Sequence, residues 1–311
     1  MTRSQIEYIL AVHKMKNFSK AAESCFITQS TLSAMVAKFE EFTGVTLFNR
    51  KTKPISTTQE GEVLIQQLKN INREFQILND TVGQLKGYEE GQINLACIPT
   101  VAPFLLPLIL RDISTHFPRV KFKIHEMTTS QVINHLVSGD IDIGIVSTPL
   151  KQDELIEYAL YDEEFLLLDY GESEKSPTYK VEDIDIERLW LLEEGHCMRN
   201  QVNTICQLRS KKKTSSNLSY STGSIYSVVE MVKEQKGVTL LPYLAIEKNL
   251  QVDKNHLFSF NEPIPSREIG IVTHKHFIKK KILSDIINII QTQIKNKTSL
   301  SSKEKYKVNP F

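Results

Sequence analysis

Cysteine is scarce in this sequence: 311 residues contain only Cys25, Cys97, Cys197 and Cys206. Four thiols so scattered cannot build the disulfide framework of a small secreted protein, so each starts reduced. Long apolar runs are missing too. The longest, Phe104 to Leu110, is interrupted by Pro107 and is far too short to span a bilayer, so no membrane partner is expected. The N-terminal MTRSQIEYIL lacks the apolar core of a secretion signal, which makes the cytoplasm the expected location. No charge of one sign dominates either. The 38 basic and 37 acidic side chains leave a net +1, a sum that hides local patches and neither favours nor excludes nucleic acid. No repeat of solenoid type is visible. What remains is a folded chain, 41% hydrophobic, long enough for two or three domains.

The first sixty residues read as a DNA-binding head. Thr2 and Gln5 make a capping box, after which Ile6, Ile9, Leu10 and His13 share one stripe of a helix ending near Met15. In FSKAAESCFITQSTLSAM, starting at Phe18, the residues Ala21, Ala22, Cys25, Ile27, Leu32 and Met35 have the spacing that closes a helix-turn-helix. Cys25 is expected there as a core sulfur. Thr28 is placed to cap the second helix, whose first turns would offer Gln29, Ser30, Thr31, Ser33 and Ala34 to a major groove. Gln suits bidentate contact with adenine, Ser and Thr can meet bases or phosphate, and Lys38 follows as a phosphate contact. Gly44 suits the helix end. VTLFNRKTKPISTTQEG then reads as a β-wing whose Arg50, Lys51 and Lys53 match a phosphate backbone. A small helical domain with an incidental basic cluster is the alternative, but the succession of helix, helix-turn-helix, wing and long helix favours double-stranded DNA.

From Thr58 to Lys86 the chain has no proline, and Leu64, Leu68, Ile71, Phe75, Leu78, Val82 and Leu85 recur in steps of four and three. This is the a/d stripe of a coiled coil. It predicts a helix about 40 Å long that pairs with a second copy, as two heads on DNA require. An amphipathic helix lying on its own core would use the same residues. Gly87 and Gly91 mark a hinge.

The remainder alternates strand and helix. INLACIP, KFKIHE and DIDIGIVS read as strands, PFLLPLILRDISTHFP and TSQVINHLVSG as helices, and a largely parallel sheet covered on both faces follows. A second set runs through EEFLLLDY, RLWLLEEGH, a strand near NLSYS, a helix SIYSVVEMVKEQ and GVTLLP. REIGIVTH and IKKKILSDIINIIQTQI then resume the first pattern. Crossings near Tyr161 and Arg267 would leave two lobes with a cleft between them. Pro99 and Thr100 lie at a strand's carboxyl end, where ligands of such sheets gather.

FSKAAESCFITQSTLSAMVAKFEEFTGVTLFNR followed by TTQEG resembles the DNA-binding signature of the LysR family of bacterial transcription regulators, and the resemblance extends over nearly the whole chain. Many members carry Pro where Ser30 stands and Arg where Ala34 stands. The fold expected is α/β: a winged helix-turn-helix over 1–58, a coiled-coil linker and dimerisation helix over 59–87, and a two-lobed regulatory domain like periplasmic binding proteins over 91–298. Lobe I would take 91–162 and 268–298, lobe II 163–267, and 299–311 would be a flexible tail. Within the family, IPTVAPFLLP, HEMTTSQ and above all GHCMRNQVNTIC are similar to the OxyR subgroup of hydrogen-peroxide sensors.

That similarity implies that Cys197 is peroxidatic and Cys206 resolving. It implies that Thr100, Thr129, Gly195 and His196 hold the peroxide, and that Arg267 lies near the thiol. It further implies a homodimer assembling into a tetramer, with DNA, hydrogen peroxide and RNA polymerase as partners. No cofactor, no metal and no catalytic turnover are expected. Asn200 stands where the subgroup often has Asp, and RSKKK follows Cys206 where an acidic loop is common.

The residues alone leave the cysteine pair open. Two buried structural thiols, a zinc site through His196, Cys197 and Cys206, and a thiol enzyme all compete, although zinc lacks a fourth ligand and has poor adjacent His-Cys geometry. A regulator whose inter-lobe cleft binds a small organic effector is the principal alternative. The spacing does make one conditional statement. If Met198 to Ile205 is helical in the thiol form, the two sulfurs lie about 13 Å apart along the axis on opposite faces. A disulfide needs Cα atoms within about 7 Å, so bonding would have to rearrange that helix.

Overall fold

The computed structural model describes the chain except for residues 86–90, 172–177, 207–219, 249–251 and 297–303. The expected hinge at Gly87, the RSKKK segment and most of the expected strand near NLSYS therefore lie outside the described residues. The chain divides into two compact units, Met1–Tyr88 and Glu89–Phe311. No described helix is long and apolar enough to cross a membrane.

In the first unit, α1 (Arg3–Met15), α2 (Phe18–Ser24) and α3 (Gln29–Thr43) precede a two-stranded wing, β1 (Phe48–Asn49) antiparallel to β2 (Ser56–Thr57), and α4 (Gln59–Leu85) follows. Local chemistry sets the helix starts. Thr2 and Gln5 form the capping box, the Asn17 side chain accepts from Lys20 N, and Thr28 Oγ1 accepts from Thr31 N at 3.2 Å. Gly44 ends α3 at φ 69°, a left-handed conformation that a residue with a Cβ adopts at a cost. The buried stripe of α1 is Gln5, Ile6, Ile9 and Val12, so Leu10 and His13 sit at its margin rather than in it. On α3 the stripe is Leu32, Val36 and Phe39. Met35, expected inside, is 38% exposed because it falls one position off that stripe.

The seam of α4 is divided. Leu64, Leu68, Ile71 and Phe75 pack on the head's own core, whereas Leu78 and Val82 are exposed. The Leu85 side chain lies outside the described residues. The first turns of α4 thus complete a small domain's core, and its later turns leave Leu78 and Val82 in solvent.

The second unit opens with β3 (Gly91–Cys97), α5 (Ala102–His116), β4 (Val120–Glu126), α6 (Thr129–Ser138) and β5 (Ile143–Thr148). These three strands are parallel, in the order β4-β3-β5. Then come β6 (Leu155–Asp169), β7 (Thr178–Tyr179), α7 (Cys197–Ile205), α8 (Ile225–Glu234), β8 (Val238–Pro242), α9 (Tyr243–Lys248), β9 (Leu257–Phe260), β10 (Ile264–His274), α10 (Lys280–Lys295) and β11 (Lys305–Lys307).

The sheet is mixed, not largely parallel. The chain leaves the first lobe on β6 and returns on β10, so these neighbours must run antiparallel, and β10 is antiparallel to β5 as well. At 15 and 11 residues, β6 and β10 pass through both lobes. In the first half of β6, LIEYALY, the apolar Ile156 and Ala159 are exposed while Glu157 and Tyr158 are half-buried, so no regular alternation marks it as a strand. The stretch RLWLLEEGH contributes only a single bridge, Leu189 to Val238.

The C-terminus also departs from expectation. Instead of a flexible tail, Lys305–Lys307 pairs in parallel with Ile264, Pro265 and Ser266 of β10, and Val308 is buried. KYKV alternates in the manner of a strand, and both lysines find acidic partners on neighbouring strands.

Gly144 of β5 shows how closely α6 packs. A Cβ there would lie 2.5 Å from Val132 Cγ1 and 3.3 Å from Leu136 Cδ1, both on α6. Gly144→Ala should therefore destabilise the second unit by about 1–3 kcal/mol through overpacking. The sole tryptophan, Trp190, packs against that unit's core, so its fluorescence in a urea titration reads the change directly.

Candidate functional site

Arg267 on β10 is fully buried, and its direct cross-strand partner on β6 is Glu163. Arg267 Nε donates to Glu163 Oε2 at 2.8 Å, and Nη2 lies 2.8 Å from the same oxygen. Glu163 Oε1 accepts from the Leu244 backbone N–H at 3.1 Å, so both carboxylate oxygens are used. The other side of the guanidinium reaches Thr100. Nη1 donates to Thr100 Oγ1 at 3.0 Å and Nη2 to Thr100 O at 3.3 Å. With Arg267 occupying an acceptor position of Thr100 Oγ1, the threonine proton stays available to donate elsewhere. Burial pushes the guanidinium towards a lower pKa, but the neighbouring charges of Glu163 and Cys197 raise it above its ordinary value.

Cys197 is 3% exposed and is the first residue of α7. The loop into that helix turns at Gly195, whose φ of 94° lies in the left-handed region, while nothing within 4 Å would obstruct a Cβ. Gly195 is needed for its backbone conformation, not for space. His196 follows as the N-cap residue, 6% exposed, with Nε2 3.7 Å from Glu193 Oε1. Gly223 lies beneath the imidazole, since a Cβ there would come within 2.8 Å of Nε2. Two sources of positive potential therefore act on the Cys197 sulfur, the helix N-terminus and the Arg267 guanidinium.

Thr129 opens α6 and is buried, yet its Oγ1 has no hydrogen-bond partner among the described residues. A buried hydroxyl left unpaired costs about 1–3 kcal/mol. Of the residues expected to cluster, the structure joins Thr100 to Arg267 by hydrogen bonds and brings Cys197 within the electrostatic reach of Arg267. The Thr129 hydroxyl is bonded to none of them.

Cys206 closes the other end of α7. The residues between the two cysteines are helical, and both sulfurs are free thiols. Cys206 is 6% exposed, and burial pushes its thiol up to about 12. Cys97 is also a buried thiol, likewise pushed up by burial. No group of three or more His, Cys, Asp or Glu able to hold a metal occurs among the described residues.

Among the buried polar residues that escaped the sequence reading, Glu163 and Gln201 bear on the site. Glu163 sits in an unremarkable acidic pair. Gln201 lies in the buried stripe Cys197, Met198, Gln201, Val202, Ile205, and a polar residue inside an apolar helical stripe is a signal that was available. Gln201 Nε2 donates to Ser147 Oγ at 3.0 Å and to Val308 O at 2.9 Å.

On the head, Gln29, Ser30, Thr31, Ala34 and Lys38 are exposed along α3, and Lys51 and Lys53 are exposed on the wing. Ser33 is half-buried. Arg50 is differently employed from its neighbours: it donates to Ser33 Oγ and Glu40 Oε2, each at 3.1 Å, and lies 4.9 Å over the Phe18 ring. Glu40 in turn accepts from Leu47 N at 2.7 Å, so this cluster fastens the wing to the recognition helix.

Comparison with known proteins agrees with both units. Residues 4–62 match the bacterial regulatory helix-turn-helix protein, lysR family, and residues 86–294 match the LysR substrate binding domain. The chain is 31% identical over 275 residues to the hydrogen peroxide-inducible genes activator of Pectobacterium carotovorum subsp. carotovorum, covering 88% of this chain and 90% of that protein. It is 31% identical over 274 residues to the DNA-binding transcriptional dual regulator OxyR of Escherichia coli, covering 88% and 89%. Among solved structures, a full-length OxyR variant from Pseudomonas aeruginosa superposes with a TM-score of 0.75 at 25% identity, over 94% of this chain and 98% of that one. Reduced OxyR from Porphyromonas gingivalis gives 0.60 at 27%, over 70% and 100%. With its helix-turn-helix head, its two-lobed α/β unit and relatives aligned over most of its length, this chain belongs to the LysR family of bacterial transcription regulators.

Proposed function

We propose that this LysR-family protein is a DNA-binding regulator that senses hydrogen peroxide through Cys197 and is switched by a Cys197–Cys206 disulfide. The observation that carries the reading is the placement of Cys197 as the first residue of α7 beside the buried Arg267 charge, with the second thiol at the far end of the same helix. Relatives named as hydrogen peroxide-inducible activators support it. The small organic effector has no comparable observation in its favour.

The chemistry balances as follows. The Cys197 thiolate attacks one peroxide oxygen and the O–O bond breaks. The departing hydroxide takes a proton to become water, and sulfur is left as a sulfenic acid. The hydroxyls of Thr100 and Thr129 and the ring of His196 orient the peroxide, Gly195 shapes the turn that presents the sulfur, and Arg267 supplies positive charge. The Cys206 sulfur then attacks Cys197 and displaces hydroxide, which leaves as a second water. One peroxide is reduced and two thiols are oxidised.

Geometry separates the two steps. Nine residues of α-helix hold the cysteines about 13 Å apart along the axis, on opposite faces, and a disulfide needs Cα atoms within about 7 Å. Bond closure therefore requires α7 to unwind. Cys206, buried and held as the neutral thiol, attacks only after that opening. The rearranged lobe changes how two copies meet. Dimers form through the exposed Leu78 and Val82 end of α4, pair into tetramers, and place the α3 surfaces, from Gln29 to Lys38, in major grooves. Lys51 and Lys53 contact phosphates, and the DNA-bound tetramer communicates with RNA polymerase.

Mass spectrometry after stoichiometric peroxide should show a chain that has lost two hydrogens, with Cys197 and Cys206 joined in one peptide. Unmodified thiols or sulfinic acid alone would sink the switch, and Cys197→Ser should abolish the change. Thr129→Val exchanges an unpaired buried hydroxyl for a methyl. The variant should be as stable as the parent or up to about 1 kcal/mol more so, while Cys197 oxidation slows by roughly tenfold or more; stopped-flow kinetics and urea unfolding read the two effects separately. On the head, Lys51→Ala or Lys53→Ala should weaken binding to all DNA sequences alike. Each should reduce the slope of log K against log salt by about 1; a loss confined to one operator would contradict phosphate contact.

A further inference from the structure

The C-terminal strand β11 continues the line of β5 along one edge of β10. β5 pairs with β10 from Glu268 to Thr273, and β11 takes over from Ile264 to Ser266. Val308 N donates to Ser266 O at 2.7 Å, and Ser266 Oγ donates to Tyr306 O at 3.1 Å. The strand is therefore fastened immediately before Arg267, on the residue next to the buried ion pair.

Its lysines fasten it a second time. Glu163 points to the buried face of β6, so Asp162 and Glu164 point the other way. Lys307 Nζ lies 3.0 Å from Asp162 and 2.7 Å from Glu268, and Lys305 Nζ lies 2.7 Å from Glu164. These contacts join β6, β10 and β11 where the first two strands pass between the lobes.

The far end of the strand holds α7. Gln201, midway between the two cysteines, donates to the carbonyl of Val308, and Asn200 Nδ2 donates to the carbonyl of Pro310 at 3.4 Å. Val308 is 3% exposed and belongs to the same core as Met198 and Val202. The helix that must unwind is thus tied by its middle turn to a segment that contributes no other residue to the site.

We propose that β11 and the residues after it form a strap that holds α7 in place in the thiol form, and that closing the Cys197–Cys206 bond releases it. The release half of this inference rests on the redox reading above; the holding half does not. Moving Gln201 off Val308 O removes the strap's hold on α7, and the freed C-terminus becomes a second product of oxidation besides the disulfide.

Hydrogen exchange on the full chain tests both halves. In the thiol form, the double variant Lys305→Glu/Lys307→Glu should raise exchange of the 197–205 peptide by roughly tenfold, with α5 and α10 unchanged. A chain ending at 303 should do at least as much. Unchanged α7 protection in the lysine variant overturns the strap, whether or not the shortened chain folds. After peroxide, the 304–311 peptide should exchange roughly tenfold faster only in molecules that have lost two hydrogens. Equal protection in the disulfide species overturns release. If no disulfide species forms, the redox reading fails, and the thiol-form comparison still decides whether the strap holds α7. A purely structural role is separated kinetically: in the lysine variant the rate of sulfenic acid formation should stay the same, while the rate of disulfide closure rises.

Discussion

A guanidinium with no exposed surface, held in the sheet between two lobes, is the constraint around which the regulatory unit is arranged. Removing a charge from water costs several kcal/mol unless a partner and a full set of hydrogen bonds replace the solvent. Glu163 supplies the opposite charge, Thr100 supplies two acceptors, and the Leu244 amide satisfies the carboxylate's other oxygen. These groups come from β6, β10, the turn after β3 and the start of α9. The network therefore needs both lobes folded and in register, and in return it presents a permanent positive charge to Cys197.

Around that charge the two thiols acquire opposite characters from one helix. Cys197 sits at the N-terminal end of α7, on the side of the Arg267 guanidinium. Cys206 sits at the C-terminal end, where burial holds it as the neutral thiol. The helix between them acts as a spacer that keeps the two sulfurs apart. Under the proposed switch that spacer breaks, which couples bond formation to shape, and the bonds of Gln201 to Ser147 and Val308 are part of what holds it. This is how a two-state element can carry a local event to a distant surface.

Much of the head was legible in the sequence because its signals are local. Thr2 with Gln5, Thr28 and Gly44 act on residues within one turn, and their capping positions are as expected. The misjudged residues were those whose fate depends on a second element. Met35 lay one position off the buried stripe, and the α4 stripe was split between the head's core and solvent. The first half of β6 and the strand at the C-terminus escaped because the one lacks a regular apolar alternation and the other is three residues long. Each is a strand only through pairing with β10.

The sequence by itself determined the things that act within a few residues. These are the caps, the helical periods, the glycine turn at 195, and the nine-residue interval that puts two cysteines on opposite sides of a helix. Tertiary structure alone decided which charges meet. Arg267 and Glu163 are 104 positions apart and become neighbours only through the register of β6 on β10. Thr100 reaches the same guanidinium across 167 positions, and Gln201 finds Val308 across 107. The reason is physical: helix and turn preferences are set by backbone sterics and hydrogen bonds over a few residues, whereas desolvated charge and buried amide groups find their partners only when distant segments close on one another.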